Sequence, residues 1–160
     1  MAEADELYEQ DFLRWTEKQA AALRRAKGSN LPLDWENLAE EIESLGKSER
    51  KGLRSQIRRI LRPLFKLTAS PASAPRPGWE ESIRDARAEI DDILRDSPSL
   101  RREIAGLVSE QAPIAAKFAA ADLTGYDKAA GAVRARLEKG GFTAEEVLGD
   151  WFPDPPRKLE

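Results

Sequence analysis

An all-α protein is what this sequence predicts, and three observations carry the prediction. Apolar residues recur at helical spacing through most of the chain, no stretch alternates with the period of two that a strand needs, and turn-formers fall where helices would end. With 41% hydrophobic and 34% charged residues, the composition suits helices that bury one face and charge the other. The 160 residues are expected to form one helical domain over 1–160, burying roughly 70% of the unfolded surface. The expected architecture is a compact bundle of about five or six helices, several of them kinked, closing in an irregular aromatic tail.

The first helix is expected over 5–27. Tyr8, Phe12, Trp15, Leu23 and Ala26 share one face, with Gln19 in the gap. Three aromatics on a stripe suit a stacking platform, but their large apolar area makes core the expected role. Gly28, Ser29 and Asn30 end this helix, and Leu31-Pro32-Leu33 is extended because the residue before a proline avoids the α region. Asp34 then N-caps a helix over 34–45 that buries Trp35, Leu38, Ile42 and Leu45 and turns Glu36, Glu40 and Glu43 outward, with Glu41 on the flank. Gly46 suggests a break, with Ser48 as a weak cap for a helix over 48–67, although the apolar phase runs on and also fits one continuous bent helix.

That third helix has the cleanest amphipathicity in the chain. At about 100° per residue, Leu53, Ile57, Ile60, Leu61, Leu64 and Leu67 occupy an arc of roughly 120°. Lys51, Arg54, Arg58, Arg59, Arg62 and Lys66 cover the opposite half, while Arg50 falls in the apolar arc and is assigned to a fraying first turn. Pro63 should kink the helix or end its regular part near Arg62. Residues 68–78, rich in Pro, Ser and Ala, read as a stiff loop.

Trp79, Ile83, Ala86, Ile90, Ile93 and Leu94 predict a helix over 79–95, strongly acidic on its outer side. Ser97 is a candidate cap and Pro98 suits the first position of a helix over 98–121 through Leu100, Ile104, Leu107, Ile114 and Phe118, kinked at Pro113. A helix over 126–138 uses Ala129, Val133 and Leu137 and is closed by Gly140-Gly141. Thr143 and Glu146 form a capping box for a short helix over 143–149. The tail is expected to lie down by Trp151 and Phe152, and Leu159-Glu160 are given no role.

Composition removes whole classes of chemistry. The chain has no Cys and no His, which excludes disulfides, thiolate nucleophiles, imidazole bases and the usual zinc sites. A net charge of −3 argues against a body that binds polyanions over its whole surface. The acidic N-terminus lacks the apolar core of a signal peptide, and no window approaches the roughly 20 apolar residues of a membrane span, so a cytoplasmic location without a membrane partner is expected. Lys139-Gly140-Gly141 is a helix end and not a phosphate-cradling loop. No catalytic residue, cofactor or metal is assigned.

Two faces remain as candidate sites. Arg50, Arg54, Arg58, Arg62 and Lys66 form an i, i+4 row that suits phosphates along a groove or an anionic membrane surface; if all five neutralised phosphates, log K against log salt would slope about −4 to −5. The competing reading pairs these cations with the roughly dozen carboxylates of 34–43 and 79–96. Glu36, Glu40 and Glu43 share a face and offer oxygen to a hard cation, but carboxylates at that spacing fit almost any exposed helix, and a di-iron bundle would need histidines.

Tyr8-Glu9-Gln10-Asp11-Phe12 with Trp15, the run Asp34 to Gly46 (Asp-Trp-Glu-Asn-Leu-Ala-Glu-Glu-Ile-Glu-Ser-Leu-Gly) and Ser48-Glu49-Arg50 resemble a bacterial family catalogued as domain of unknown function number twenty-nine. Trp79, Ser97-Pro98-Ser99-Leu100-Arg101 and the terminal Asp150, Phe152 and Pro153 look similar too, so the resemblance covers nearly the whole chain. It implies a small all-helical fold and no established activity, substrate or cofactor. One departure stands out: where the family is expected to carry His-Leu-Leu-Lys, this chain has Pro63-Leu64-Phe65-Lys66, so any chemistry of that histidine is lost here.

The expected function is therefore a protein-interaction or regulatory module without catalysis, binding a protein partner or itself. A nucleic-acid-binding module using the basic face 50–66 is the second reading, and a carboxylate metal-dependent enzyme the third.

Overall fold

A computed structural model describes residues 2–125 and 127–157 of the chain, leaving the first residue of the predicted 126–138 helix, and Leu159-Glu160, outside the described residues. Among them are seven α-helices, one 3-10 segment and no strand: α1 (Ala2–Gln10), α2 (Phe12–Arg25), α3 (Trp35–Ala69), α4 (Arg76–Asp96), the 3-10 segment Pro98–Glu103, α5 (Ile104–Asp122), α6 (Asp127–Glu138) and α7 (Ala144–Leu148). The all-α fold is as the periodicity predicts. None of these helices is long and apolar enough to cross a membrane. They group into two compact units, residues 1–53 with 91–102, and residues 54–90 with 103–160.

In the first unit the predicted 5–27 helix is two helices. Asp11 adopts an extended backbone (φ −156°, ψ 93°), and its side chain accepts the Arg14 amide as the N-cap of α2. A short carboxylate that bonds the backbone locally competes with helix continuation, which is why the apolar phase alone misses this break. The second oxygen of Asp11 accepts the Ser99 amide at 2.8 Å, while the Ser97 hydroxyl accepts the Leu13 amide at 3.2 Å. Ser97 thus caps α2 and not its own segment, and Asp11 serves both helix starts at once.

The opposite correction applies at Gly46. No break occurs there, and α3 runs unbroken from Trp35 to Ala69. A Cβ built at Gly46 would lie 2.5 Å from Thr16 Oγ1 and 3.0 Å from Leu13 Cδ1, so the glycine is there for close approach of α2. Ser48 is then mid-helix and caps nothing, and Arg50 is not in a fraying turn. Asp34 does cap α3, accepting the Asn37 amide at 3.2 Å.

The buried faces of this unit are rotated from those expected. Leu13, Thr16 and Ala20 are buried on α2 and Ala39 on α3. Tyr8 is 49% exposed, Phe12 and Trp15 are half-buried, and the three rings cluster with centroids 4.9 to 6.0 Å apart. Leu38 and Leu45, expected inside, are 40% and 48% exposed. Gly46 admits Leu13 and Thr16 of α2 at close range, while Leu38 and Leu45 are left outside.

The second unit has the larger core. Ile57, Ile60, Leu61, Leu64 and Leu67 of α3 are all fully buried, matching the predicted arc, and so are Phe65, outside that arc, and Ile83, Ala86 and Ile90 of α4. Pro63 lies inside α3 without ending it, and α3 continues to Ala69, shortening the expected 68–78 loop to 70–75. Leu100, Ile104 and Leu107 are buried as predicted, but in the second half of α5 the burial falls on Ala112, Ala115, Ala116 and Ala119, whereas Ile114 and Phe118 are exposed, correcting that part of the predicted stripe. α5 packs against α6 and α7. Gly140 (φ 108°) and Gly141 (φ 68°) close α6 as a Schellman motif, with Gly141 N–H to Arg136 O at 3.0 Å and Gly140 N–H to Leu137 O at 3.0 Å. The Thr143 and Glu146 capping box opens α7 as predicted.

The tail is held by arginines more than by its aromatics. Arg87, 7% exposed, donates to the carbonyls of Val147, Glu146 and Trp151 at 2.9, 3.0 and 2.7 Å, so a buried guanidinium satisfies the last turn of α7. Burial holds its pKa below the usual arginine value. Phe152 lies under Arg84 and Arg87, and Arg76 donates to Leu67 O and Pro153 O at 2.8 Å.

Candidate functional site

The basic face of α3 follows directly from its i, i+4 spacing, since the opposite arc is wholly buried. Arg50 is in the first unit, its guanidinium 4.0 Å from Glu17. The other four cations are in the second unit. Arg54 is 3.6 Å from Glu110. Arg62 makes a bidentate pair with Asp122, at 2.7 Å from Nε and 2.6 Å from Nη2, and Lys66 lies 3.1 Å from the same carboxylate. The Arg62 hydrogen bonds, then those of Lys66, hold the Asp122 carboxyl below its ordinary range. The same bonds hold the Arg62 guanidinium above its own. The neutralising acids of these three residues come from α5, and not from the 34–43 and 79–96 segments considered above.

Among the described residues Arg58 has no carboxylate partner; it reaches the Gln111 side-chain oxygen at 3.4 Å. Arg59, one residue round the helix, is exposed and its guanidinium makes no ion pair or hydrogen bond among the described residues. Around these cations the second unit forms a cleft of about 620 Å³, lined by Ser55, Arg58, Arg59, Arg62, Pro63, Lys66, Trp79, Ser82 and Phe118. Trp79 comes from the first turn of α4 and sits 5.1 Å from Lys66 Nζ; Phe118, 45% exposed on α5, sits 5.2 Å from the Arg62 guanidinium. Each aromatic face meets a cation, which orients the cationic heads along the cleft.

The candidate acidic face is dispersed into ion pairs. Glu43 accepts from Arg24 at 2.6 Å and lies 3.8 Å from Lys47, and the Arg24 bond lowers its carboxyl pKa. Glu36 lies 3.7 Å from Arg24 and 3.8 Å from Lys27, while Glu40 is exposed. Among the described residues no group of three or more possible ligands is arranged to hold a metal ion.

Sequence reasoning singles out three of the nine residues that line the cleft. The charge row points to Arg58, Arg62 and Lys66, but Arg59 lies off the row, and Trp79 and Phe118 read as core positions of their own helices. Nothing in a single sequence says that two helices outside α3 bring aromatic rings to its basic side.

Residues of the recognised motifs meet as structural partners: Asp11 with Ser99, Ser97 with Leu13 and Glu49, and Gly46 with Thr16. No curated protein and no solved structure matches the chain. Residues 7–152 match the family described as domain of unknown function DUF29, and with nearly its whole length covered the chain belongs to that family.

Proposed function

We propose that the protein is a binding module without catalysis, whose first unit docks a basic amphipathic helix of a partner protein. The observation that supports this reading is the exposed stripe on the N-terminal half of α3. Leu38 and Leu45 lie open to solvent with half-buried Ile42 between them, at i, i+4 and i+7, the spacing by which one helix engages another. Leu31 and Leu33, 60% and 49% exposed, precede the stripe in sequence. Covering the exposed part of each leucine would contribute roughly 1 kcal/mol. Asp34, Glu40 and Glu41 are exposed on the same half-helix, so a partner edged with Lys or Arg gains where a second copy would set acid against acid.

The basic row gives weaker support to a nucleic-acid reading. Arg54, Arg62 and Lys66 are each already beside a carboxylate, and a strand would have to displace Glu110 and Asp122 to recruit them.

Two synthetic helices with the same leucine stripe, one flanked by lysine and arginine and one by glutamate, test the reading by titration. The basic peptide is expected to bind saturably and to lose binding with Leu45→Glu, while the acidic peptide stays unbound. Failure of both peptides, or a dimer of the protein that Leu45→Glu dissociates, would set this reading aside.

A further inference from the structure

The cleft of the second unit has a composition that the docking reading does not use. We infer that it is a binding site for a small phosphate ester carrying a flat ring, of the class of nucleoside polyphosphates. Its volume of about 620 Å³ falls in the range of small-molecule sites, roughly 300–1,000 Å³. Its wall holds four cations, and among the described residues the carboxylate that pairs with them is Asp122, shared between Arg62 and Lys66. Among the described residues two guanidiniums therefore remain without an acidic partner, Arg58 and Arg59, on successive residues of one helix.

That arrangement is matched to a compact anion. Two open guanidiniums beside Arg62 and Lys66 can hold adjacent phosphoryl groups by charge-assisted hydrogen bonds, whereas a nucleic-acid strand needs a longer open track than this row leaves. Ser55 and Ser82 add hydroxyls at the wall. Inorganic phosphate alone would leave Trp79, Phe118 and Pro63 unused, and these supply the apolar surface on which a heterocycle stacks. Asp122 is then a built-in competitor: it occupies Arg62 and Lys66 when the cleft is empty of anion, and a polyphosphate must share or displace it.

The test is calorimetric titration of the whole chain at low salt with ATP, tripolyphosphate, adenosine and a short single-stranded oligonucleotide. ATP is expected to bind more tightly than tripolyphosphate, and adenosine weakly. Joint substitution Arg58→Ala and Arg59→Ala should weaken ATP about tenfold or more, since each removes a hydrogen bond to a charged group. Trp79→Ala should cost ATP affinity but not tripolyphosphate affinity. Asp122→Asn should strengthen ATP severalfold, a gain that no folding defect imitates, and Lys51→Ala, on the same helix outside the cleft, should change nothing. The inference is overturned by absence of saturable ATP binding, by binding indifferent to Arg58 and Arg59, or by tripolyphosphate binding as tightly as ATP. An oligonucleotide that binds through these residues more tightly than ATP would likewise overturn it and assign the cleft to nucleic acid.

Discussion

Gly46 concentrates the difference between a glycine that ends a helix and one that lets another helix in. Its neighbour Thr16 is fully buried and its hydroxyl donates to Leu13 O at 2.7 Å, so Oγ1 cannot swing away from an added methyl without losing that bond. An exposed helical Gly→Ala change would stabilise by about 1 kcal/mol through propensity alone. Here the overpacking cost of about 1–3 kcal/mol acts against it, and at 2.5 Å from Oγ1 it should win. Gly46→Ala is expected to lower the melting temperature, and adding Thr16→Ala should recover part of the loss. Thermal unfolding of the two variants checks both steps, and a net gain from Gly46→Ala alone would mean that α2 does not sit this close.

Between elements, Asp11 and Ser97 exchange caps across 84 to 88 residues of sequence. Each supplies an acceptor to a helix start that its own segment leaves unsatisfied, and Ser99 Oγ donates a third bond to Asp11 Oδ1 at 3.0 Å. Loss of an N-cap costs about 1 kcal/mol, and a buried donor left without an acceptor adds a comparable penalty. Asp11→Ala should therefore destabilise by about 2 kcal/mol. The double variant with Ser97→Ala should fall short of the sum, because both bonds act on the docking of the same two helix starts. A thermodynamic cycle from denaturant unfolding measures this coupling, and strict additivity would show the caps to be independent. This is also where the sequence was least legible. Periodicity identifies helical segments over 34–45, 48–67, 79–95 and 98–121 because it reports large apolar side chains, though the first two are one helix and the last begins as the 3-10 segment Pro98–Glu103, and it places the core of the second unit correctly through Ile57, Leu61 and Leu64. It errs where small residues are buried: Ala39 on α3, Ala20 on α2 and the alanines of α5 are inside and Gly46 admits α2 at close range, while Leu38, Leu45 and Phe118 end outside. The i, i+4 cation row is legible for the same local reason, while its partners on α5 and the rings of the cleft depend on tertiary placement that no spacing encodes.

For the whole molecule, the dependence of stability on pH separates carboxylates that the fold favours ionised from one that it does not. Asp122, held down first by its bonds from Arg62, stabilises the fold above the ordinary carboxylate range, and that contribution is lost as pH falls through its depressed value. Glu43, held down by Arg24, follows the same sign from an exposed position where screening leaves it little weight. Glu49 has the opposite sign. Burial, then the nearby charge of Asp96, raises its carboxyl pKa, and the 3.4 Å bond from Ser97 opposes this only in part. Between the ordinary glutamate value and the raised one, the folded state binds more protons than the unfolded state, so this group makes stability rise as pH falls through that window. Ionised Glu49 is thus a cost at neutral pH, and Glu49→Gln, which keeps an oxygen for Ser97, should raise the melting temperature there. The gain should shrink through mildly acidic pH and vanish below the ordinary glutamate range, where the wild-type side chain is already neutral in both states. Asp122→Asn should instead lower stability at neutral pH, by about 0.5–1 kcal/mol for a pair this exposed, and converge with wild type only at lower pH. Melting curves of the three proteins across this range distinguish the signs: a Glu49→Gln effect constant with pH would show that the carboxyl is not buried enough to resist ionisation.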